Sequence, residues 1–294
     1  MSIMTHIDDL VDKSVFILRD TKAQFKNPCV LWSTGKDSTA MLSLCREAFF
    51  NTVPFPVVHM DTGFKFKEIY EYRDNLAKEW NLDLIIAKAE NAGKINPTIG
   101  NISHHDCCTQ LKTLVLRDTI EKHGFDVVIV SIRRDEHHMR NYERVSSPRD
   151  KEFKWNIIRE KKEEEKGDAP YESLQDTEVG DFFASDFGEN VHHIRRHPLL
   201  HWTEPEVWQY CKLRNLPMNP LYFADYVQKT YGLTNKRFRS LGCVPCTTPI
   251  DSSASTIDQI IEELKTTRVP ERSGRAQDKE SEDAMRKLRS LGYM

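Results

Sequence analysis

Ser33-Thr34-Gly35-Lys36-Asp37-Ser38 puts hydroxyls, a glycine, an ammonium and a carboxylate into six consecutive residues. The apolar run Val30-Leu31-Trp32 leads in, and an amphipathic segment from Thr39 to Phe50 leads out, so the six residues read as a strand-to-helix turn. Such a turn aims backbone N–H groups, hydroxyls and Lys36 at one point, where a phosphate sits on the positive end of the helix. It is not a Walker A loop: no glycine lies five residues before Gly35, and Asp37 follows Lys36 where that motif has Ser or Thr. Lys36 is placed to offset charge on a departing phosphate group, and Asp37 to orient Lys36 or help hold Mg²⁺.

Two further polar clusters end apolar runs. His59-Met60-Asp61-Thr62-Gly63 closes the run from Val57, and Arg133-Arg134-Asp135-Glu136 follows Val127 to Ile132. In an open parallel sheet, ligands bind beyond the carboxyl ends of the strands, where all three clusters fall. His59 and Asp61, with Thr62 and Gly63, are placed for ribose, adenine or metal contacts. Arg133 and Arg134 offer planar donors for an oxyanion; a surface ion-pair network with Asp135, Glu136 and Glu143 is the plainer alternative.

Seven cysteines divide into two groups. Cys29, Cys45 and Cys211 fall in apolar strand or helix patterns and read as core. Cys107-Cys108 opens a helix, and Cys243-Val244-Pro245-Cys246 lies in a later turn. An adjacent pair plus a distant Cys-x-x-Cys is unusual for zinc, whose paired ligands commonly stand two to four residues apart. Thiolates are soft ligands suited to iron–sulfur clusters. Zinc and four unrelated buried cysteines are the alternatives.

The elements that must position these groups alternate strand and helix. Strands are expected at Cys29–Trp32, Val57–Met60, Leu84–Ala87 and Val127–Ile132, with helices at Phe66–Trp80 and about Cys108–His123. The pattern predicts an α/β protein with a parallel sheet flanked by helices and a small, mostly helical carboxy-terminal appendage. Ile7, Leu10, Val11, Val15 and Leu18 recur at helical spacing and form a core-facing stripe. Residues 1–225 read as the α/β domain, with a mixed-charge insertion near 151–190, and residues 226–294 as the appendage. A new ordered unit starts at His197-Pro198-Leu199-Leu200, where Thr203-Glu204-Pro205-Glu206 makes a capping box for a helix over Val207–Leu213. Helices at about Ser255–Lys265 and Lys279–Leu291 follow.

With 39% hydrophobic and 30% charged residues, the 294-residue chain has the composition of a soluble globular protein. No apolar run approaches the roughly 18 residues that span a bilayer. The opening Met1-Ser2-Ile3-Met4-Thr5-His6 lacks the order of a signal peptide, so the cytoplasm is the expected compartment and disulfides are not expected. A net charge of −3 makes no global case for nucleic acid, though Arg195-Arg196-His197, Lys236-Arg237-Phe238-Arg239 and Arg268 through Arg275 could form a local basic track.

The Ser-x-Gly-Lys-Asp-Ser pattern resembles the pyrophosphate loop of N-type ATP pyrophosphatases. Over nearly the whole chain the sequence is similar to the small, ATP-binding subunit of sulfate adenylyltransferase. The shared markers are Ser33 to Ser38, Pro54-Phe55-Pro56 through Phe66, Arg133 to Glu136, Trp202-Thr203-Glu204, Arg237 to Cys243, and Ile260 through Arg275. This resemblance implies an adenine-nucleotide α-hydrolase fold, ATP as substrate with Mg²⁺, adenylyl transfer to an oxyanion and release of pyrophosphate. The four cysteines depart from that subunit and resemble the set that holds a [4Fe–4S] cluster in adenylylsulfate reductases and some thiolation enzymes. No cysteine follows Cys246, which sets the chain apart from reductases that use a carboxy-terminal cysteine. The stretch from Leu221-Tyr222 to Arg237 is shorter than in the sulfate-activating subunit, which weakens the expectation of its usual GTPase partner. The nucleotide domain and cluster cysteines together resemble the ATP pyrophosphatases of DNA phosphorothioation systems. The expected acceptor is therefore a DNA backbone phosphate, with a cysteine desulfurase supplying sulfur. The alternatives are sulfate as acceptor with a GTPase large subunit as partner, and a redox-sensing nucleotide-binding scaffold.

Overall fold

The computed structural model describes residues 3–99, 102–136, 140, 143–154, 191–269 and 271. Helix α1 (Ile3–Gln24) precedes β1 (Pro28–Leu31), α2 (Lys36–Ala48), β2 (Val57–Asp61), α3 (Lys67–Glu79) and β3 (Leu84–Lys88). Next come α4 (His104–Cys108), a π-helical stretch at Thr109–Thr113, α5 (Leu114–His123), β4 (Val127–Ile129), β5 (Ser146–Arg149) and β6 (His193–Arg196). The remaining elements are α6 (Glu204–Leu213), α7 (Ala224–Tyr231), the short strands β7 (Lys236–Arg237) and β8 (Ile250–Asp251), and α8 (Ile257–Thr266). None of these helices is long and apolar enough to cross a membrane.

The main sheet has the order β3-β2-β1-β4-β6-β5, parallel except for β5, which runs antiparallel to β6. The α/β architecture expected from the sequence is present. Alternation along the strands sends Val30, Val57, Val127 and Ile129 to one face, where α1, α2 and α6 contribute Ile7, Leu18, Leu44 and Tyr210. Cys29, Leu31, Val58 and Val128 face the other way, against Val115, Leu116 and Ile120 of α5. Cys29, Cys45 and Cys211 are buried core residues, as expected, and burial pushes the Cys211 thiol up to about 12. A third cluster joins Phe66 and Ile69 to Trp208, Tyr222, Val227, Phe238, Ile260 and Leu264, seating the carboxy-terminal elements on α3 and α6.

Two strands of the main sheet, like the short pair β7 and β8, were not anticipated. Ser146-Ser147-Pro148-Arg149 and His193-Ile194-Arg195-Arg196 lack an apolar run, yet every residue in both is buried. Pro148 is tolerated because β5 is an edge strand, where a missing N–H breaks no inner ladder. β6 also begins the ordered unit before His197, the residue expected to open it. The helix expected from Cys108 instead starts at His104, capped by Ser103 Oγ accepting the Asp106 N–H at 2.9 Å. The capping box at Thr203–Glu206 is present. The helix expected at Lys279–Leu291 and most of the 151–190 insertion lie outside the described residues.

Strand order reverses between β1 and β4, since β2 and β3 lie on one side of β1 and β4 lies on the other. That reversal opens a crevice at the carboxyl ends of these strands, the place where such sheets bind ligands.

Candidate active site

The crevice is lined by Ser33, Gly35, Lys36 and Asp37 beyond β1, by Val58 and Met60 of β2, and by Val130, Ser131 and Ile132 beyond β4. Tyr222, Ser240-Leu241-Gly242 and Glu271 border it from the carboxy-terminal part, and Lys65, Lys112, Glu136 and Arg140 add charge. The apolar walls suit a flat base, and the loop suits phosphates.

The loop is tighter than the sequence suggested. Gly35 caps α2, so Lys36, Asp37 and Ser38 form the first helical turn. Thr34 holds φ at 66°, a left-handed value unusual for a β-branched residue. Ser38 Oγ donates to the Gly35 carbonyl at 3.1 Å and lies 3.1 Å from Ser33 Oγ. Thr34 and Ser38 thus brace the turn, while Ser33, Gly35, Lys36 and Asp37 face the crevice. A Cβ on Gly35 would stand 3.3 Å from Ser33 Oγ and 3.5 Å from Tyr222 Oη, a crowding that glycine avoids.

A buried ionic network underlies the loop. Lys36, only 1% exposed, pairs with Glu271 and lies 3.3 Å from Asp37 Oδ2 and 3.7 Å from Glu204 Oε1. Arg133, fully buried, pairs with Asp37 and Glu271 and holds Asp135 at 2.9 Å. Arg239 grips Glu204 through Nη2 at 2.7 Å. Burial pulls the Lys36 ammonium down, but Glu271 and then Glu204 more than offset it, so Lys36 stays protonated. Burial likewise raises the Glu271 carboxyl, and Lys36 and Arg133 overcome that to hold it ionised. The arrangement can bind and neutralise an oxyanion, because two fixed buried cations converge on one point.

The structure brings Lys36, Asp37 and Arg133 together and sets Glu204, Tyr222, Arg239 and Glu271, which the sequence did not single out for the site, beside them. Glu204 read only as part of a capping box, and Glu271 lay in a tail segment singled out by resemblance alone. Arg134 points elsewhere, toward His201 Nδ1 at 3.3 Å and the Glu143 carbonyl at 3.3 Å. His59 is fully buried, with Nδ1 2.9 Å from the Trp32 carbonyl and its pKa pushed down to about 3, mainly by burial. It therefore packs behind the crevice as a neutral group. Asp61 accepts from the Gly63 N–H and Tyr70 Oη, each at 2.8 Å, and shapes its own turn. Gly63 has φ +75°, and a Cβ there would come 2.4 Å from the Gly93 nitrogen. Asp61, Thr62 and Gly63 thus build a tight loop beside the crevice, and none of them lines it.

Most of the basic track expected for nucleic acid is interior; of its described residues Arg268 is exposed and Lys236 partly so, paired with Asp251 at 2.6 Å. Arg195, Arg196, His197, Arg237 and Arg239 are all buried. Arg196 pairs with Asp20, Arg237 with Glu263 at 2.8 Å, and Arg239 with Glu204. These cations serve the interior; residues 272–275 of the last segment lie outside the described residues.

Cys107, Cys108, Cys243 and Cys246 line one small pocket with Thr62, Phe64, Asn96, Pro97, Leu111, Lys112 and Pro245. Burial, then the neighbouring Cys108 and Cys243, push the Cys107 thiol up to about 12, so it is protonated in the free chain. Thr62 Oγ1 lies 3.1 Å from Cys243 Sγ. Among the described residues, no group of three or more His, Cys, Asp or Glu is arranged to hold a metal ion. The four cysteines thus share one pocket, while the free thiols as placed form no metal-holding arrangement.

Residues 27–249 match the family described as "Phosphoadenosine phosphosulfate reductase domain". "Sulfate adenylyltransferase subunit 2" of Zymomonas mobilis is 37% identical, across 99% of this chain and 98% of its own length. The protein of the same name from Proteus mirabilis is also 37% identical, with the same coverage. A phosphoadenylyl-sulfate reductase from Candida auris superimposes with a TM-score of 0.52 at 16% identity, covering 84% of this chain and 98% of its own. A Candida glabrata FMN adenylyltransferase in complex with ATP gives 0.54 at 15% identity, covering 84% of this chain and 65% of its own, so both share the fold. The chain belongs to the phosphoadenosine phosphosulfate reductase domain family and, within it, to the family of sulfate adenylyltransferase subunit 2.

Proposed function

We propose that the chain is the ATP-cleaving subunit of a sulfate adenylyltransferase. ATP binds with Mg²⁺ in the crevice, a sulfate oxygen attacks the α-phosphorus, and the bond to the β-phosphate oxygen breaks. Adenylylsulfate forms and pyrophosphate leaves. The observation that carries this reading is end-to-end similarity to sulfate adenylyltransferase subunit 2, spanning 99% of the chain. Lys36, Arg133 and the first turn of α2 supply fixed positive charge for the departing pyrophosphate, the kind of preorganised field that carries most of such a rate. Asp37, on the crevice wall and paired with Arg133, orients that guanidinium. A GTPase large subunit is the partner this reading calls for.

The relatives favour sulfate over the DNA phosphate expected from the sequence. The burial of Arg195, Arg196, Arg237 and Arg239 removes much of the basic track that motivated DNA and a cysteine desulfurase as partners. The redox-sensing scaffold is also set aside in favour of an enzyme. For the cysteine pocket, Cys107, Cys108, Cys243 and Cys246 would hold the [4Fe–4S] cluster, and their shared pocket supports that assignment. Bound there, a cluster would cross-link α4 to the Cys243–Cys246 turn, and no step of the transfer passes through it.

Sulfate-dependent exchange of labelled pyrophosphate into ATP tests the reading. The expected result is exchange that requires sulfate and is lost in Lys36→Ala. Exchange of equal rate without sulfate would overturn the acceptor assignment.

A further inference from the structure

Glu271 is 8% exposed and stands among the loop's own cations. One carboxylate oxygen pairs with Lys36 Nζ and the other with Arg133 Nη2, so a single anion bridges the two groups assigned to the phosphates. The segment before it is anchored where Arg239 Nη1 donates to the Val269 carbonyl at 2.7 Å. We propose that Glu271 is a built-in competitor that fills the oxyanion seat between Lys36 and Arg133 in the nucleotide-free chain and is exchanged for a phosphate group of the nucleotide or pyrophosphate. This rests on the reading of the loop as the phosphate site.

Occupancy of the seat supports exchange over addition. Lys36, Arg133 and Arg239 are three cations within one network, and Asp37, Asp135, Glu204 and Glu271 are four carboxylates. The crevice lining adds Lys65, Lys112 and Arg140 against Glu136, so the repulsion is local: Glu271 already occupies both Lys36 and Arg133, and a phosphate group entering beside it would meet that carboxylate at close range. Withdrawal of Glu271 leaves three cations and three carboxylates, and the incoming phosphate replaces the lost anion. The carboxylate also has a reason to be present in the free chain. Lys36 and Arg133 are buried, and buried cations without a counter-ion are strongly disfavoured. The seat is therefore never empty of negative charge; only its source changes. Exchange makes apparent affinity the intrinsic affinity reduced by the fraction of chains with Glu271 withdrawn.

Calorimetric titration with magnesium pyrophosphate tests this on wild type, Glu271→Gln and Lys36→Ala. Glu271→Gln is expected to bind about tenfold tighter or better, since the occluded fraction disappears. Its free form is expected to melt lower than wild type, and pyrophosphate to restore the difference. Lys36→Ala is expected to lose binding. Equal or weaker binding by Glu271→Gln, with Lys36→Ala still defective, would overturn the competitor role and leave the loop reading intact. Normal binding by Lys36→Ala would overturn both. Hydrogen exchange on the wild-type chain needs no variant to fold: pyrophosphate should speed amide exchange over residues 267–271, and slower or unchanged exchange there would contradict displacement.

Discussion

Tyr222 and Lys36 lie 186 residues apart in sequence, and the Tyr222 hydroxyl accepts the Lys36 backbone N–H at 2.9 Å. The bond ties the first turn of α2 to the segment after α6, so phosphate loop and carboxy-terminal part are held in one register. Trp208 fixes the phenol from the side, edge to face at 5.2 Å between ring centres. Tyr222→Phe leaves a buried N–H without its partner and is expected to cost about 1–3 kcal/mol of stability. Denaturant unfolding of the two proteins measures it, and an unchanged midpoint would show that the bond is dispensable.

Lys36→Ala should lower pyrophosphate release about 10²- to 10³-fold, the range for losing one preorganised donor to developing charge. In the sequence Lys36 falls in a strand-to-helix turn outside the apolar pattern, which gives no sign of burial. In the structure its side chain is 1% exposed and paired with Glu271. Breaking a buried pair typically costs about 3–5 kcal/mol, so the variant should also unfold earlier. Turnover and melting temperature measured on the same preparation check both halves.

Acid should destabilise the chain well above the carboxylate range. Burial is the main cause holding His197 down to about 4, His59 to about 3 and His193 to about 2, against an ordinary 6.5. Below pH 6.5 the unfolded chain takes up protons that the folded chain refuses, so stability falls as pH falls. Each histidine contributes a loss of about 2 kcal/mol at pH 5, so the three together reach the scale of a whole domain's stability. Urea unfolding at pH 7, 6 and 5 should show that steep decline; a flat profile would mean these rings are protonated in the fold.

The cysteine pocket makes a separable prediction. Protein reconstituted without oxygen should hold about four irons per chain, the content of a [4Fe–4S] cluster. Cys107→Ser, Cys108→Ser, Cys243→Ser and Cys246→Ser should each lose iron. Cys45→Ser should keep it, because Cys45 is buried on α2 in the core cluster beneath the sheet's other face and is no part of the cysteine pocket. Iron-free protein with four reactive thiols would leave the pocket a packing feature.

The fold was legible where burial leaves a period in the sequence. Val30, Leu31, Val57 and Val58 are apolar because both faces of a parallel strand are covered, and the hydroxyl- and glycine-containing turn after them marks the phosphate loop. β6 escaped because its buried cations are matched by distant groups such as Asp20, a match no local pattern records. Glu271 and Glu204 escaped for the same reason: their partners Lys36 and Arg239 lie 235 and 35 residues away. His59 and Arg134 show the converse: neither is among the residues that line the crevice. Each follows or ends an apolar run as a ligand group would, yet local packing turns both away from the crevice.

The acceptor decides the account, and one assay measures it directly. The purified chain, with the GTPase large subunit proposed as its partner, is given ATP, Mg²⁺ and sulfate, and adenylylsulfate and pyrophosphate are quantified together; a parallel reaction replaces sulfate with DNA, cysteine and a cysteine desulfurase. The expected result is adenylylsulfate and pyrophosphate in equal amounts, with no sulfur entering DNA. Phosphorothioate-linked dinucleotides in the digested DNA, with no adenylylsulfate formed from sulfate, would contradict the sulfate-activating function.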